Sequence, residues 1–461
     1  MLKLKEMLID NFKNLAKNSL RQKALLIAEA GYEAIEIERV VSERIKLENN
    51  YLELTIQRDS MEKNFKINLN NFKRVFLVGV GKGSALASIS LVKILGDKLT
   101  GGIALDINKP TTNNQQLTTF IGTHPFPSKQ NITATQKIIE LVKNLNKDDL
   151  LITFICGGGS ALLCGSEKEL KDSVLATKLL TQAGADILEL NTVRKHLSEI
   201  KGGGLAKLAY PATIVSLVVS DVLGNNLSMV ASGPTVFDKT TNNDAKNIFK
   251  KYSLEHKNFH FHENPKEKKY FKKVKNILFL SNREPLLAMA EKAQKLGFKP
   301  KIYSYSLRGE AKNALLPLSS ALPYREVPKT ILAGGETTVV LNKELRIMND
   351  ELGRGYELGK GGRNMEAVLG AVNSMHNSLF TLHNSIIMSF ASDGHDNTKA
   401  AGAIADFSTI QKAKKLKLNP EDFLKNHNSF NFFKKTNDLI FTEQKTFNVA
   451  DLMFVLSAPK E

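Results

Sequence analysis

Five polar or glycine-rich loops carry the residues of this sequence that could do chemistry. Each follows a short apolar segment: GVGKGS at 79–84, CGGGSA at 156–161, SDVLGNN at 220–226, GGETT at 334–338 and SDGHDN at 392–397. Glycine backbone leaves N–H groups open to phosphate or carboxylate oxygens, and isolated Lys and Arg side chains neutralise the same groups. This combination is typical of phosphoryl transfer, in which a protein chiefly positions its substrates and neutralises charge.

Three consecutive glycines, 157–159, follow an apolar segment that runs from Leu150 to Ile155. Glycine loses more backbone entropy on folding than any other residue, so the triplet must meet a backbone requirement. Two requirements fit, an anion held by backbone N–H groups or a tight packing turn, and the segment alone does not choose between them. The residues predicted to bind phosphate or nucleotide are Gly157, Gly158, Gly159, Ser160 and, from the GGETT loop, Glu336.

Isolated cations stand beside glycines at three places. Lys82 lies in a loop between a strand and a helix, where its ammonium group is predicted to meet an anionic oxygen; a surface lysine is the alternative. The segment NTVRKHLSEIKGGGLA, at 191–206, offers Arg194 and Lys201 as substrate-binding residues, or else forms a surface helix with a glycine cap. Arg363 follows a glycine pair at a helix start, where it suits a transferring phosphoryl group or is simply solvated.

Carboxylates follow two of the apolar segments. Asp221 could hold Mg²⁺, act as a base toward a substrate hydroxyl, or cap the following turn. Asp393 and Asp396 add oxygen ligands that suit a hard cation, whereas His395 is predicted to be structural because no second histidine stands at a metal-binding interval. The predicted catalytic residues are thus Lys82, Arg363 and Asp221, and the predicted metal ligands are Asp221 and Asp393.

Short apolar segments alternating with helical patterns must position these loops, which predicts an α/β fold. Because ligands of such folds lie at the carboxyl ends of the strands, we expect two domains, each a mostly parallel sheet flanked by helices, with the active site in the cleft between them. A stretch rich in Asn, Lys and His at 239–275 predicts the boundary, giving domains of 1–245 and 246–461. Residues 1–46 carry a helical pattern, although Gly31 weakens it.

Composition excludes several classes of protein. The chain has 461 residues and a formal charge of +17, but its lysines are scattered beside asparagines, so no nucleic-acid partner is predicted. No apolar run reaches the length of a membrane span, and the N-terminus does not resemble a secretory signal, so we expect a cytoplasmic protein without a membrane partner. Two cysteines, Cys156 and Cys164, favour a reducing compartment without a disulfide or zinc site.

Eight motifs, in order over about residues 5–456, resemble the glycerate 2-kinases of the two-domain type with a C-terminal MOFRL domain. They are VGVGKGSALA, THPFPS, CGGGSALL, NTVRKHLSEIKGGGLA, SDVLGNNLSMVASGPT, GGETTV, GKGGRNMEA and SDGHDNTKAAGAIAD. The resemblance implies a Rossmann-like N-terminal half and a MOFRL region at about 330–456. It also implies ATP- and Mg²⁺-dependent phosphorylation of D-glycerate, or a related hydroxy acid, at the 2-hydroxyl. Lys82 and Arg363 match positions expected to contact substrate and phosphate.

The sequence also departs from that family. Asn225 and Asn226 stand where two aspartates are usual, Lys399 stands where an acidic residue is common, and FTEQKTFNVADL lacks the usual glycines. Two alternatives therefore stay open: a sugar-acid or nucleotide binding protein without turnover, and a nicotinamide-dependent hydroxypyruvate reductase. The second would need a dinucleotide fingerprint, which Ser84 interrupts and for which Asp97 and Asp106 are only loose matches. A homodimer is compatible with the sequence.

Overall fold

The computed structural model describes residues 7–58, 61–110, 114–320, 327–340, 359–376, 384–443 and 445–459. The chain forms two compact units. We call Ile37–Ser281 the parallel-sheet unit, and we call Met1–Glu36 together with Asn282–Glu461 the mixed-sheet unit. Within the described residues, no helix is both long enough and apolar enough to span a membrane.

The helices are α1 (Phe12–Leu15), α2 (Ser19–Glu33), α3 (Ile37–Arg44), α4 (Ser84–Leu95), α5 (Lys129–Lys143), α6 (Gly159–Leu162), α7 (Glu167–Ala183), α8 (Ile187–His196), α9 (Gly204–Ala209), α10 (Asn242–Lys251), α11 (Arg283–Lys295), α12 (Leu316–Ser320), α13 (Arg363–His376), α14 (Phe407–Lys415), α15 (Pro420–Lys425) and α16 (Ser429–Thr436). The strands are β1 (Ile45–Glu48), β2 (Tyr51–Arg58), β3 (Met61–Asn68), β4 (Arg74–Val80), β5 (Gly101–Asp106), β6 (Leu117–Ile121), β7 (Asp149–Ile155), β8 (Thr213–Val219), β9 (Val274–Leu280), β10 (Lys299–Leu307), β11 (Lys329–Gly335), β12 (Ser385–Ala391), β13 (Gly402–Ala405), β14 (Leu439–Ile440) and β15 (Asp451–Ser457).

The parallel-sheet unit is built on six parallel strands in the order β6-β5-β4-β7-β8-β9. Every residue of β7 is buried, as expected of a strand covered by helices on both faces. Numbered from β4, the order is 3-2-1-4-5-6, that of a doubly wound dinucleotide-binding sheet. The chain runs outward in opposite directions from β4 and β7, so the loops after these two strands open a crevice. The prediction of an α/β fold with a Rossmann-like sheet is confirmed.

The division into units differs from the predicted boundary at residue 245. Strand β9 pairs with β8 and completes the parallel sheet, so this unit extends to Ser281. The Asn-, Lys- and His-rich stretch that predicted a linker instead contains α10, whose Phe249 is buried with Leu180 and Val193. Two further aromatic rings, Phe259 and Phe261, pack edge-to-face against Phe249. A polar composition here marks a solvated surface with a regular apolar face, and not a domain boundary.

The mixed-sheet unit has the strand order β10-β11-β15-β12-β13-β14. Only β10 and β11 are parallel, and the other four pairs are antiparallel, so the prediction of a second mostly parallel sheet is wrong. The reason lies in the connections: β12 is joined to β13 by a loop with no helix, and antiparallel neighbours need no crossover helix.

Helices α1 and α2 belong to the mixed-sheet unit. Helix α2 packs against α11 and continues through Gly31, where a Cβ atom would approach Met289 to 2.9 Å, so the glycine permits close helix packing. The buried Arg21 guanidinium donates to Asp406 at 2.7 and 2.9 Å and to Asp438 at 2.8 Å. Burial alone would raise the pKa of Asp406, but the contacts with Arg21 outweigh it and lower that pKa to about 2. This ion pair therefore fixes α2 on the unit.

Substitution of Arg21 by methionine should strongly destabilise the protein. It leaves the buried Asp406 carboxylate without its cation, whereas Asp438 keeps Lys17 at 2.8 Å, and we expect a loss of about 3–5 kcal/mol in the free energy of unfolding. The matched control is Arg39→Met, which removes an exposed guanidinium paired with Glu43 one helical turn away and should cost less than about 0.5 kcal/mol. Urea unfolding followed by circular dichroism measures both, and equal losses would contradict the assignment.

Candidate active site

The glycine loop after β7 lies beside the Asp221 carboxylate. Asp221 follows β8, the strand next to β7, and a Cβ atom on Gly157 would overlap Oδ2 of Asp221. The absence of a side chain at Gly157 is therefore what lets the carboxylate rest on the loop backbone. This contact brings together two of the predicted site residues at the carboxyl edge of the sheet.

Lys82 comes to the same loop from β4. Its backbone N–H donates to the carbonyl of Gly157 at 2.9 Å, and its Cγ lies 3.3 Å from the position of a Cβ atom on Gly158. Gly158 has a φ of +81°, which glycine adopts without strain. The exposed ring of His124 lies 3.4 Å from the same Cβ position. His124 was not among the predicted site residues, although the THPFPS motif contains it.

Ser160 links the glycine loop to α8. Its hydroxyl lies 2.8 Å from that of Ser232, which donates to the Asn191 side chain at 3.0 Å. One helical turn further along α8 stands Arg194, so the two side chains share a face of the helix. Burial lowers the pKa of Arg194, and its guanidinium makes a 3.5 Å contact with the Thr177 hydroxyl. In the part of the chain that the structure describes, Arg194 forms no ion pair.

The neighbouring cations are neutralised by buried carboxylates. Lys195 bonds to Asp238 at 3.1 Å, and Lys201 bonds to Glu169 at 2.9 Å; all four side chains are at most 5% exposed. Lys201 was predicted to bind substrate together with Arg194, but its ammonium group is enclosed with an internal partner. Of these three cations, only Arg194 keeps a charge that no described carboxylate balances.

Asp106 takes the position that an acidic residue occupies in dinucleotide-binding folds, at the end of the second strand. Its carboxylate accepts from the backbone N–H groups of Ala85 at 2.9 Å and Ile107 at 2.7 Å, and it is 2% exposed. Burial raises the pKa of Asp106, and these hydrogen bonds oppose the rise. The carboxylate thus caps the start of α4 and is enclosed, which leaves it unable to bind a ribose hydroxyl.

Asn226 stands in the loop where the family resemblance leads one to expect aspartate. Its side-chain oxygen accepts from the backbone N–H and the hydroxyl of Ser228 at 3.1 and 2.9 Å. The amide therefore stabilises its own turn. Asp221 is left as the carboxylate of this loop, since Asn225 is neutral as well.

A second cluster, in the mixed-sheet unit, surrounds Arg363 at the first residue of α13. Its Nε and Nη2 donate to Asp451, and its Nη1 donates to Glu336 at 2.8 Å. The sheet explains why these groups meet: Asp451 begins β15 opposite Gly335 of β11, and Glu336 follows Gly335. Burial opposes the charged form of Arg363, but the two carboxylates outweigh it and raise its pKa.

Asp396 and Asn364 hold the start of α13. Asp396 accepts from the backbone N–H groups of Asn364 at 3.1 Å and Met365 at 2.8 Å, and burial raises its pKa to about 7. The Asn364 amide donates to Asp451 at 2.8 Å and accepts from Ser389 at 2.6 Å. Arg363 thus stands on a helix end that several buried polar groups fix. The sequence offered Asp396 as a cation ligand, whereas here it caps a helix.

Asp393, the other predicted metal ligand, lies in the turn after β12. It accepts from the backbone N–H of His395 at 3.1 Å, and Nδ1 of His395 lies 3.0 Å from the carbonyl of Thr398. His395 therefore has the structural contact predicted for it. Across the described ranges, no group of three or more His, Cys, Asp or Glu side chains is arranged to hold a metal ion.

Neither cysteine is suited to chemistry. Cys156 and Cys164 are buried free thiols. Burial raises the pKa of Cys156 well above its usual range, and it raises that of Cys164 to about 12. Both stay protonated at neutral pH and pack as small apolar groups.

A cavity beside α7 is also present in the parallel-sheet unit. Its lining includes the carboxylates of Glu169, Asp172 and Glu199, together with His260 and His262. Two of these carboxylates are already paired, Asp172 with Lys168 at 2.6 Å and Glu169 with Lys201 at 2.9 Å, and the cavity lining contains none of the residues gathered around the glycine loop. The loop, and not this cavity, is the candidate active site of the unit.

Comparison with known proteins gives consistent matches over most of the chain. One family model, described as a domain of unknown function (DUF4147), matches residues 23–260, and the MOFRL family matches residues 329–451. A glycerate 2-kinase of Pyrococcus horikoshii is 34% identical over 84% of this chain and 88% of its own. A putative hydroxypyruvate reductase of Agrobacterium vitis is 33% identical over 83% and 99%. The crystal structure of a glycerate kinase from Thermotoga maritima has a TM-score of 0.77 at 30% identity, covering 95% of this chain and 100% of that one.

The contact between Gly157 and Asp221 can be tested by a double-mutant cycle. Gly157→Ala should lower the free energy of unfolding by about 1–3 kcal/mol, because the added methyl group must displace the carboxylate. In an Asp221→Ala background the same substitution should cost less than half as much. Gly158→Ala is the control, since its positive φ strains alanine whichever residue is at position 221. Urea unfolding measures the cycle, and an undiminished cost of Gly157→Ala without Asp221 would contradict the contact.

Proposed function

The chain belongs to the glycerate 2-kinase family with a C-terminal MOFRL domain, and we propose that it transfers the γ-phosphoryl group of ATP to the 2-hydroxyl of D-glycerate. The chain is a kinase of a small-molecule substrate, as the names of its relatives and its structural neighbour support. ATP as the donor, Mg²⁺ as the metal and the roles of individual residues belong to the proposal. So do the cytoplasmic location, the homodimer and the absence of a nucleic-acid partner.

The observation that carries the proposal is the charge of Arg194, which no carboxylate among the described residues balances. A partly buried guanidinium without a carboxylate partner is costly, and an anionic ligand removes that cost. Guanidinium matches a carboxylate with two parallel hydrogen bonds. The chain Asn191–Ser232–Ser160 leads from the same helix face to the glycine loop. We therefore assign the glycerate carboxylate to Arg194.

The phosphate groups are assigned to the glycine loop and Lys82. The Lys82 backbone donates a hydrogen bond to Gly157, and the Lys82 side chain lies beside Gly158. Phosphoryl oxygens held there would meet a positive charge and a backbone without side chains. The ring of His124, which lies near the same Cβ position of Gly158, would be a further hydrogen-bond donor for these oxygens. Lys201 has no part in the proposal, since Glu169 already neutralises it.

Asp221 is the residue of this loop cluster that would hold Mg²⁺. This ion prefers oxygen ligands, keeps several waters and is commonly bound by one or two carboxylates with substrate phosphates, so a single carboxylate fits it. When bound, Mg²⁺ neutralises charge that develops on the transferring phosphoryl group. The contact with Gly157 holds the Asp221 carboxylate in place at the loop. Asp393, in the mixed-sheet unit, stays a proposed metal ligand.

Arg363 is assigned to the transition state. Asp451 keeps the Arg363 guanidinium charged and oriented, and such a fixed cation would stabilise charge that shifts among the phosphoryl oxygens in the transition state. Proton transfer from the 2-hydroxyl completes the reaction, and the Asp221 carboxylate is the base proposed near the phosphate loop.

The name putative hydroxypyruvate reductase, carried by two relatives from Agrobacterium vitis, suggests the second candidate activity. Such an enzyme would bind a nicotinamide dinucleotide, whose ribose hydroxyls require an accessible acidic residue after the second strand. Asp106 stands there, but it is enclosed and bonded to backbone N–H groups. The residues present thus support the kinase.

The test compares two adjacent cations of α8. Arg194→Met should raise KM for D-glycerate about 10- to 100-fold, because it removes a charge-assisted contact of roughly 1.5–3 kcal/mol. It should lower the free energy of unfolding by no more than about 0.5 kcal/mol, since among the described residues only the 3.5 Å contact with the Thr177 hydroxyl is lost. Lys195→Met, the control, leaves Asp238 buried and unpaired, so it should cost about 3–5 kcal/mol of stability and leave KM unchanged in folded protein.

Coupled ADP release with D-glycerate, tartronate and hydroxypyruvate measures the kinetics, and urea unfolding measures stability. Equal effects of the two substitutions on KM would contradict the assignment of Arg194. Binding of D-glycerate in calorimetry without any ADP release would indicate a binding protein, and oxidation of NADH by hydroxypyruvate would indicate the reductase.

A further inference from the structure

Arg363 contacts two carboxylates that differ in their surroundings. The Asp451 side chain is 1% exposed, takes the Nε and Nη2 edge of the guanidinium and accepts a further hydrogen bond from Asn364. The Glu336 side chain is 48% exposed and takes Nη1. One partner is thus built into the unit, and the other reaches the guanidinium from solvent.

The two carboxylates cannot serve the same purpose. Asp451 already balances the charge of Arg363 and fixes its plane, so a second carboxylate is not needed to keep the guanidinium charged. An exposed ion pair contributes little to stability, because water screens it and both side chains lose freedom. The backbone N–H of Glu336 donates to the Leu307 carbonyl, which holds the backbone at this position. The Glu336 carboxylate accepts a hydrogen bond from Arg363.

We propose that Glu336 is an internal stand-in for a ligand phosphate: its carboxylate occupies the Nη1 edge of Arg363 in the free protein and is exchanged for a phosphoryl oxygen when substrate binds. Glu336 would then set the affinity of the protein for its phosphate donor. This inference rests on the proposed function, which assigns the phosphoryl group to Arg363. It changes the role predicted for Glu336, because a carboxylate repels the phosphate that it was predicted to bind.

Replacement of the Glu336 carboxylate by a phosphoryl oxygen has a small free-energy cost. When Glu336 moves away from Arg363, one exposed ion pair is lost. The phosphoryl oxygen then accepts a charge-assisted hydrogen bond from the same nitrogen atom, Nη1. Asp451 stays in place throughout, so the guanidinium keeps its orientation. Without Glu336, the same edge would be open to any phosphate at lower cost.

The test is calorimetric titration of the full chain with inorganic triphosphate at low ionic strength. Glu336→Gln should bind triphosphate about 2- to 5-fold more tightly than the unsubstituted protein, which corresponds to an exposed ion pair of roughly 0.4–1 kcal/mol. The matched control is Glu291→Gln, which removes an equal charge from an exposed pair with Lys295 in the same unit and should leave the affinity unchanged. In an Arg363→Gln background the gain from Glu336→Gln should vanish.

Three results would overturn the inference: unchanged or weaker binding by Glu336→Gln, a gain of the same size without Arg363, or no triphosphate binding by any variant. A KM for ATP that falls in Glu336→Gln, with kcat unchanged or reduced, would support it further, since a merely structural role would not lower KM. Because triphosphate binding needs no acceptor, the inference can hold even if D-glycerate is not phosphorylated. The proposed function can likewise hold if this exchange does not occur.

Discussion

The contact of the Asp221 carboxylate with the bare backbone of Gly157 is the constraint on which the candidate site depends. It requires that β7 and β8 lie side by side, so that the loops after them leave the sheet at the same edge. It also requires that position 157 carry no side chain. Lys82 then reaches the same loop from β4, on the other side of β7, through a backbone hydrogen bond. Gly157 thus makes room for the Asp221 carboxylate, Gly158 lies beside the Lys82 and His124 side chains, and Gly159 packs against Ala231.

Charge pairing separates the cations that stabilise the fold from those that we propose to bind substrate. Lys195 and Lys201 are each enclosed with a carboxylate, and Arg21 is enclosed with two. These residues stabilise the fold, since the loss of one partner leaves the other buried and charged. Arg194 lacks such a partner among the described residues, and Arg363 has one buried carboxylate and one exposed carboxylate. A cation that buried carboxylates do not fully neutralise can bind an anionic substrate.

The sequence predicted the buried parallel strands and the glycine-rich loops that follow them. The apolar runs of β4 and β7 and the loops after them are evident because buried parallel strands are continuously apolar. The three-stranded antiparallel sheet β1-β2-β3 escaped prediction. The turn between β1 and β2 places Asn49 and Asn50 at positive φ, within a polar stretch without a long apolar run. Antiparallel pairing in the mixed sheet was not foreseen, because an apolar strand has the same sequence pattern in either direction.

The partners of the site residues could not be predicted, since they are distant in sequence. Glu169 lies 32 residues from Lys201, and Asp451 lies 88 residues from Arg363. The segment 191–206 therefore predicted equal roles for Arg194 and Lys201. In the structure Lys201 forms an ion pair with Glu169, and Arg194 forms none with the described residues. His124 could have been found, since it stands within a motif that the family resemblance already included.

The most direct test of the account is identification of the phosphorylated product. The purified chain would be incubated with ATP, Mg²⁺ and D-glycerate, and the product followed by phosphorus NMR against authentic 2-phosphoglycerate and 3-phosphoglycerate. The account predicts 2-phosphoglycerate, formed in proportion to ADP. Formation of 3-phosphoglycerate, or ADP release without any phosphorylated glycerate, would contradict it.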